Sequence, residues 1–172
     1  MHDLTVYAID SGAVVVNARS TIHDTRTRWD SLSGRIEADP ADLAGGAAAV
    51  DLAVDMRRFD AGDFLRNRKL RNDLEVDRHR EARFRLTALR EVEDRGGGRF
   101  AARAEGAIEW RGRSVAIEAS GEGELDGRRL RATARFEIDV RAFGVAPPRF
   151  LLFKVDDVVA IEVTLTASRA GP

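Results

Sequence analysis

Apolar and polar residues alternate with a period of two over long stretches of this chain, and no other feature of the sequence constrains its fold as strongly. The alternation is clearest in three consecutive runs, residues 100–110, 115–123 and 130–140, where every second residue is apolar or glycine. A period of two is that of a β-strand, and strands with one apolar and one polar face are typical of antiparallel sheets. We therefore predict an all-β fold.

Four further runs show the same alternation less regularly, at residues 14–18, 48–56, 84–88 and 159–167. Turn sequences separate the later runs, namely Gly96-Gly97-Gly98, Arg111-Gly112 and Asp126-Gly127, and Asp-Gly is a typical two-residue hairpin turn. Residues 82–141 are therefore predicted to form a four-stranded meander, with more strands on either side. About eight strands in one small domain leave no unpaired edge if the sheet closes into a barrel.

One segment, residues 59–81, breaks the alternation. Asp60 or Asp63 is suited to cap the start of a helix, and Leu70 and Leu74 then fall four residues apart on one helical face. We predict a short helix and loop that cap one end of the barrel. Pro147-Pro148 marks a second, non-helical connection before the last strand.

Length and composition favour a single domain over residues 1–172, with no internal repeat and no linker. The chain has no cysteine, which excludes disulfides and thiolate metal sites, and its net charge of −1 implies no general attraction to nucleic acid or to an anionic membrane. No secretion signal and no apolar stretch of about 20 residues is visible, so we expect a cytoplasmic protein.

The predicted inward faces contain many small residues, among them Ala104, Gly106, Gly121 and Ala134. A barrel of about eight strands either fills its interior with side chains or leaves room for one small ligand. Clustered small residues would leave a cavity, whereas large side chains from facing strands would close it. The alternation itself leaves both interpretations open.

Two long segments, residues 56–84 and 136–167, together with YAID at 7–10 and GAIEWRGRSV at 106–115, resemble the YceI-like family of lipocalin-like, polyisoprenoid-binding proteins. The stretch from Arg66 to Leu70 is similar to the loop motif of that family, and Phe143-Gly144-Val145 is similar to its late aromatic-glycine-aliphatic motif. The resemblance implies an eight-stranded antiparallel lipocalin-like barrel, a helix over one end and an elongated apolar cavity for an isoprenoid chain.

The chain departs from the family pattern in four places. Asn67 stands where the family usually has an acid, Lys69 where it has a histidine and Arg80 where a proline is common. The first strand is about two residues shorter between Asp10 and Val14. These differences concern the polar end of the ligand rather than the fold.

Residues that could carry out chemistry are few. The three histidines, His2, His23 and His79, show no metal-ligand spacing. Asp156 and Asp157 are adjacent, so on a strand they point to opposite faces; we expect solvated loop acids rather than a pair that shares a proton. No nucleophile elbow and no phosphate-binding loop is present. We expect no catalytic residue, no metal and no cofactor.

The segment from Arg57 to Arg85 carries ten Lys or Arg and six Asp or Glu residues. An exposed helical face explains this excess. A cationic rim at one barrel mouth, suited to a diphosphate head group or to transient contact with a membrane, is the functional interpretation. Nucleic acid is not expected, because aromatic residues make up only 6% of the chain and do not alternate on an outward face. Phe59, Phe64 and Leu70 are instead predicted to form a lid.

The sequence thus predicts a protein that binds, carries or stores an apolar lipid-like ligand, of the polyisoprenoid or isoprenoid quinone type, and is not an enzyme. Two alternatives stay open: an isomerase or hydrolase acting on a lipophilic substrate inside the barrel, and a homodimeric interaction protein with a filled barrel. The predicted ligand-binding residues are Val16, Trp29, Leu52, Val54, Phe64, Leu70, Phe84, Leu86, Ile108, Trp110, Ile117, Phe136, Ile138 and Phe143.

Overall fold

The computed structural model describes residues 4–20, 24–44, 48–145, 149–150, 153–154 and 157–171. The long strands are β1 (Thr5–Ala18), β2 (Thr25–Trp29), β3 (Leu32–Ala38), β4 (Ala49–Asp55), β6 (Glu81–Gly96), β7 (Arg99–Trp110), β8 (Arg113–Asp126), β9 (Arg129–Asp139) and β12 (Val158–Arg169). Three two-residue strands are β5 (Phe59–Asp60), β10 (Arg149–Phe150) and β11 (Phe153–Lys154), and the one α-helix among these residues is α1 (Phe64–Leu74). His2, His23, Pro147-Pro148 and Asp156, singled out in the sequence, lie outside the described residues.

The strands form a closed antiparallel barrel, which confirms the predicted fold class. Strand β12 pairs with β9 on one side and with β1 on the other, so the sheet has no free edge there. Strands β2 and β3 pair with different parts of β1 and together occupy one position, which leaves eight positions around the barrel. The predicted meander is β6 to β9, joined by two-residue turns at the predicted sites.

Two irregularities in strand pairing change which residues face inward. The pairing of β6 shifts between Leu86 and Ala88, and beyond it Leu89 lines the interior. The predicted alternation Phe84, Leu86, Ala88 is therefore wrong at Ala88, because an extra residue reverses the faces that follow it. A second shift between Ile9 and Ser11 brings both Tyr7 and Val14 inward although they are an odd number of residues apart.

The helix α1 covers one end of the barrel, as predicted. Asp63 is its N-cap and accepts a hydrogen bond from the Arg66 backbone N–H at 2.8 Å. Glu75 ends the helix in the left-handed conformation at φ 51°, and the next residue, Val76, is fully buried. Leu74 and Val76 belong to an apolar cluster with Trp29, Trp110 and other side chains at this end.

The apolar core has two parts, one at each end of the barrel. The cluster under α1 also includes Phe143, from the 3₁₀ helix Val140–Phe143 that follows β9. The second cluster lies at the opposite end, around Tyr7, Leu52 and Leu130. The space between these two clusters is the interior of the barrel.

Candidate functional site

The interior of the barrel contains a cavity of about 710 Å³. Its volume lies in the range of about 300–1,000 Å³ that is typical of pockets for small molecules. The residues around it come from every barrel position, and most of them are aliphatic or aromatic. The polar ones are Ser20, Thr25, Thr27, Arg66, Lys69, Asp73 and Arg83. The filled barrel, one of the alternatives left open by the alternation, is therefore not what this chain forms.

Aromatic rings fill part of the barrel interior, and small residues line the part that is empty. A Cβ atom at Gly106 would come within 2.5 Å of the Phe84 ring, and one at Gly123 within 2.6 Å of the Phe100 ring, so those two rings already occupy the space beside the glycines. Ala104 and Ala134, by contrast, line the cavity. Large side chains therefore fill the space beside small residues at some levels of the barrel, and small residues leave a cavity at others.

Thirteen of the fourteen residues predicted to bind ligand line this cavity; the exception is Phe64. Phe64 is the first residue of α1 and its side chain is 75% exposed. The residues of α1 that line the cavity are Arg66, Lys69, Leu70, Asp73 and Leu74, which recur at helical spacing on one face. Phe64 does not belong to that face, so its assignment as wall or lid is wrong.

Several residues that line the cavity were not among the predicted ligand-binding residues. They include Tyr7, Leu32, Ile36 and Leu165 at the end opposite α1. Leu165 lies in a run whose alternation marked its inward face. For Tyr7 a period-two count from Val14 points to the wrong face, because the pairing shift between Ile9 and Ser11 intervenes.

Tyr7 is the most completely buried polar side chain at the far end of the cavity. It has no exposed surface, and its hydroxyl finds no hydrogen-bond partner among the described residues. Burial raises the pKa of the Tyr7 phenol above its ordinary value of 10.0, and the positive charge of Arg169 opposes part of that effect.

The polar residues of α1 mark the mouth of the cavity. Arg66, Lys69 and Asp73 line the cavity and are partly exposed, and the Lys69 Nζ lies 3.0 Å from the Asp73 Oδ2. Asn67, which departs from the family pattern, accepts a hydrogen bond from the Ala61 N–H at 2.6 Å and so holds the loop before the helix. Arg80, another departure, donates to the Asp77 carbonyl at 3.1 Å.

Side-chain hydrogen bonds hold α1 and the 3₁₀ helix onto the barrel. The Arg111 guanidinium, at the turn between β7 and β8, donates to the Leu74 carbonyl at 2.8 Å, the Phe143 carbonyl at 3.1 Å and the Glu75 carboxylate at 3.1 Å. The Trp110 indole donates to the His79 carbonyl at 3.0 Å. The cover over the mouth is therefore fastened by polar contacts as well as by packing.

Groups suited to chemistry are sparse around the cavity. Within the described ranges no three His, Cys, Asp or Glu side chains lie close enough together to hold a metal ion. His79 is half-buried beside Glu75, with 4.0 Å between its Nε2 and the carboxylate, and it does not line the cavity. No helix in the described part of the chain is long and apolar enough to cross a bilayer.

The chain is similar to known proteins over almost all of its length. The sequence model of the YceI-like domain matches residues 7–167. No curated protein matches the chain in sequence. Among solved structures, BcnA of Burkholderia cenocepacia superposes with a TM-score of 0.75 at 21% identity, covering 91% of this chain and 96% of its own.

Two more solved structures share the fold at 15% identity. One is a polyisoprenoid-binding domain from Saccharophagus degradans implicated in plant cell wall breakdown, with a TM-score of 0.73 and coverage of 96% of this chain and 99% of its own. The other is the Campylobacter jejuni YceI protein, with a TM-score of 0.68 and coverage of 84% and 85%.

Proposed function

This chain belongs to the YceI-like family, and we propose that its barrel binds an apolar, lipid-like molecule of the polyisoprenoid or isoprenoid quinone type and carries or stores it. The observation that carries the proposal is the cavity of about 710 Å³ with its aliphatic and aromatic lining. The similarity in fold to a polyisoprenoid-binding domain supports the same class of ligand.

Burial alone gives such a site its affinity. Each CH₂ group transferred from water into an apolar interior contributes about 0.8 kcal/mol, so a long hydrocarbon chain needs few polar contacts. Trp29 and Trp110 both line the cavity, and their indole N–H groups donate to the backbone carbonyls of Met56 and His79. The rings are therefore held in place, and a ligand would meet a preformed wall.

We infer binding rather than catalysis because the ionisable groups of the cavity are poorly placed for proton transfer. Lys69 and Asp73 are paired with each other at the mouth, and Tyr7 lies at the opposite end. The two other ionisable side chains of the lining are arginines in ion pairs, Arg66 with Asp63 and Arg83 with Asp51 and Glu81. A general acid or base needs to reach the reacting group within hydrogen-bond distance, and the middle of the cavity has an aliphatic and aromatic wall. A cytoplasmic location and a homodimeric state remain predictions from the sequence.

The test is lipid identification in protein purified from cells, by native mass spectrometry and by organic extraction, with a variant whose cavity is blocked. Ala134 lines the cavity in the middle of β9, and Ala134→Phe should fill the space and abolish the bound lipid. Thr133→Phe is the matched control, because the adjacent residue points to the outside of the same strand and should leave the lipid in place.

Added isoprenoid quinones should quench the fluorescence of Trp29 and Trp110 in the wild type and the control but not in Ala134→Phe. Recovery of no lipid from the wild-type protein, together with no quenching, would contradict the proposal. Equal lipid content in the blocked and control variants would place the ligand somewhere other than the barrel interior.

A further inference from the structure

Two adjacent apolar side chains project into solvent from the first turn of α1. Phe64 is 75% and Leu65 66% exposed, the highest values among the large apolar side chains of the described residues. The other two exposed ones, Leu4 and Val158, are exposed by 45% and 47% and belong to separate segments. Single exposed apolar residues are ordinary, whereas an adjacent pair at the mouth of a binding site requires a reason.

The same helix is strongly basic. It carries Arg66, Arg68, Lys69 and Arg71 against one acid, Asp73, while the whole chain has a net charge of −1. Arg66 lies 3.5 Å from Asp63, Lys69 pairs with Asp73, and Arg71 lies 3.5 Å from Asp77. Arg68 forms no ion pair with any of the described residues.

The position of Arg68 relates these charges to the apolar pair. It follows Leu65 by three residues and Phe64 by four, the spacing at which side chains on a helix are neighbours. A helical surface of exposed aromatic and aliphatic side chains flanked by cations is typical of segments that lie in a membrane interface. Each cation close to an anionic bilayer contributes about 1 kcal/mol of attraction.

The helix also forms part of the cavity wall. Leu70 and Leu74 line the cavity, and Arg66 and Lys69 stand at its mouth. A bilayer in contact with Phe64 and Leu65 would therefore lie next to the point where an apolar ligand enters or leaves. Such a ligand would avoid exposure to water, which costs about 0.8 kcal/mol for every CH₂ group.

We propose that the first turn of α1 docks the protein onto anionic bilayers, with Phe64 and Leu65 inserting among the lipids and Arg68 contacting their phosphates. Two side chains are too small an apolar area for a stable protein interface, which needs about 800 Å² on each partner, whereas they suffice for shallow insertion supported by charge. The use of this contact, exchange of ligand with the membrane, rests on the proposed function; the contact itself does not.

The experiment is co-sedimentation of the full chain with vesicles of pure phosphatidylcholine and with vesicles containing phosphatidylglycerol. The wild type should bind the anionic vesicles and should not bind the neutral ones. Salt should weaken the binding. The double variant Phe64→Ser/Leu65→Ser should bind anionic vesicles at least about tenfold more weakly. The matched control, Leu4→Ser/Val158→Ser, removes two exposed apolar side chains elsewhere and should bind as the wild type does.

Charge reversal gives a second, independent measurement. Arg68→Glu should weaken binding to anionic vesicles and flatten its dependence on salt. None of the five residues substituted in these three variants lines the cavity. All three variants should therefore keep the thermal stability and the extracted lipid of the wild type, so an unfolded variant would be recognised at once.

Three results would overturn the docking proposal. The first is a wild type that does not bind anionic vesicles, and the second is a Phe64→Ser/Leu65→Ser variant that binds them equally well. The third is a concentration-dependent dimer that this double variant disperses, since a second copy would then cover the patch. If the wild type docks but no lipid is ever extracted from it, the docking stands and the proposed ligand binding fails.

Discussion

At the scale of one residue, Tyr7 is a polar side chain buried in the apolar interior of the barrel. The side chain is completely buried, and no described residue accepts a hydrogen bond from its hydroxyl. An unpartnered buried hydroxyl costs about 1–3 kcal/mol relative to its hydrated state. The ring contributes to the packing of the far end of the barrel, while the hydroxyl opposes folding.

Tyr7→Phe should therefore raise the free energy of unfolding by about 1 kcal/mol, measured by chemical denaturation. The wild type should also lose stability as the pH rises above 10, because the unfolded phenol ionises at its ordinary pKa while burial raises that of the folded one. Tyr7 is the only tyrosine in the chain, so ultraviolet titration follows this group alone. If Tyr7→Phe instead lowers the free energy of unfolding, the Tyr7 hydroxyl forms a hydrogen bond in the folded protein.

At the scale of secondary structure elements, one arginine joins three of them. Arg111 has the left-handed conformation, φ 55°, in the turn between β7 and β8, where Gly112 follows at φ 72°. Its guanidinium binds the carbonyl at the end of α1, the carboxylate that follows it and the carbonyl at the end of the 3₁₀ helix. The side chain is only 13% exposed and lies over the Trp110 ring.

Arg111→Ala should lower the free energy of unfolding by roughly 2 kcal/mol, because buried carbonyls and a carboxylate lose a charged donor. Amide hydrogen exchange in residues 64–75 and 140–145 should accelerate more than exchange in the strands. Arg113→Ala is the matched control, since this arginine of the same hairpin makes one long, exposed hydrogen bond of 3.4 Å to Ala142. Equal effects of the two substitutions would show that Arg111 does not fasten the cover.

For the whole molecule, an apolar cavity links stability to ligand. A ligand that binds only the folded barrel stabilises it by about 2.7 kcal/mol when present at one hundred times its dissociation constant. Removal of bound lipid from purified protein should therefore lower the melting temperature by several degrees, and added prenol should restore it. The Ala134→Phe variant should show neither change. A melting temperature of the wild type that is independent of lipid would contradict ligand binding in the barrel.

Much of this architecture can be read from local pattern. A strand with one buried face repeats its apolar residues every second position whatever it pairs with, so the meander from β6 to β9 and its turns were predictable. The N-cap Asp63 and the inward side chains Leu70 and Leu74 follow from short-range helical geometry in the same way. For this reason most of the thirteen predicted site residues that line the cavity follow from local pattern, whereas Trp29 was assigned from the resemblance to the YceI-like family. Their contact with a ligand remains a prediction.

Features that depend on pairing partners could not be predicted. The pairing shifts at Ile9–Ser11 and Leu86–Ala88 reverse the faces of the residues beyond them, which brings Tyr7 and Leu89 inward. Phe64 is an aromatic residue of the kind expected in a lid, yet the orientation of α1 on the barrel places it in solvent. Arg111 looks like an ordinary turn residue until α1 and the 3₁₀ helix are folded against it.

The sequence by itself therefore determined the fold class, the order of the strands in the meander and most of the cavity wall, because periodicity and turn chemistry act over a few residues. Only the tertiary structure decided how much of the interior is empty, which residues stand at the mouth and which face outward from it. Those outcomes depend on the register between strands and on the packing of α1 against the barrel. Such contacts join residues far apart in the sequence, so they produce no periodic pattern of apolar residues.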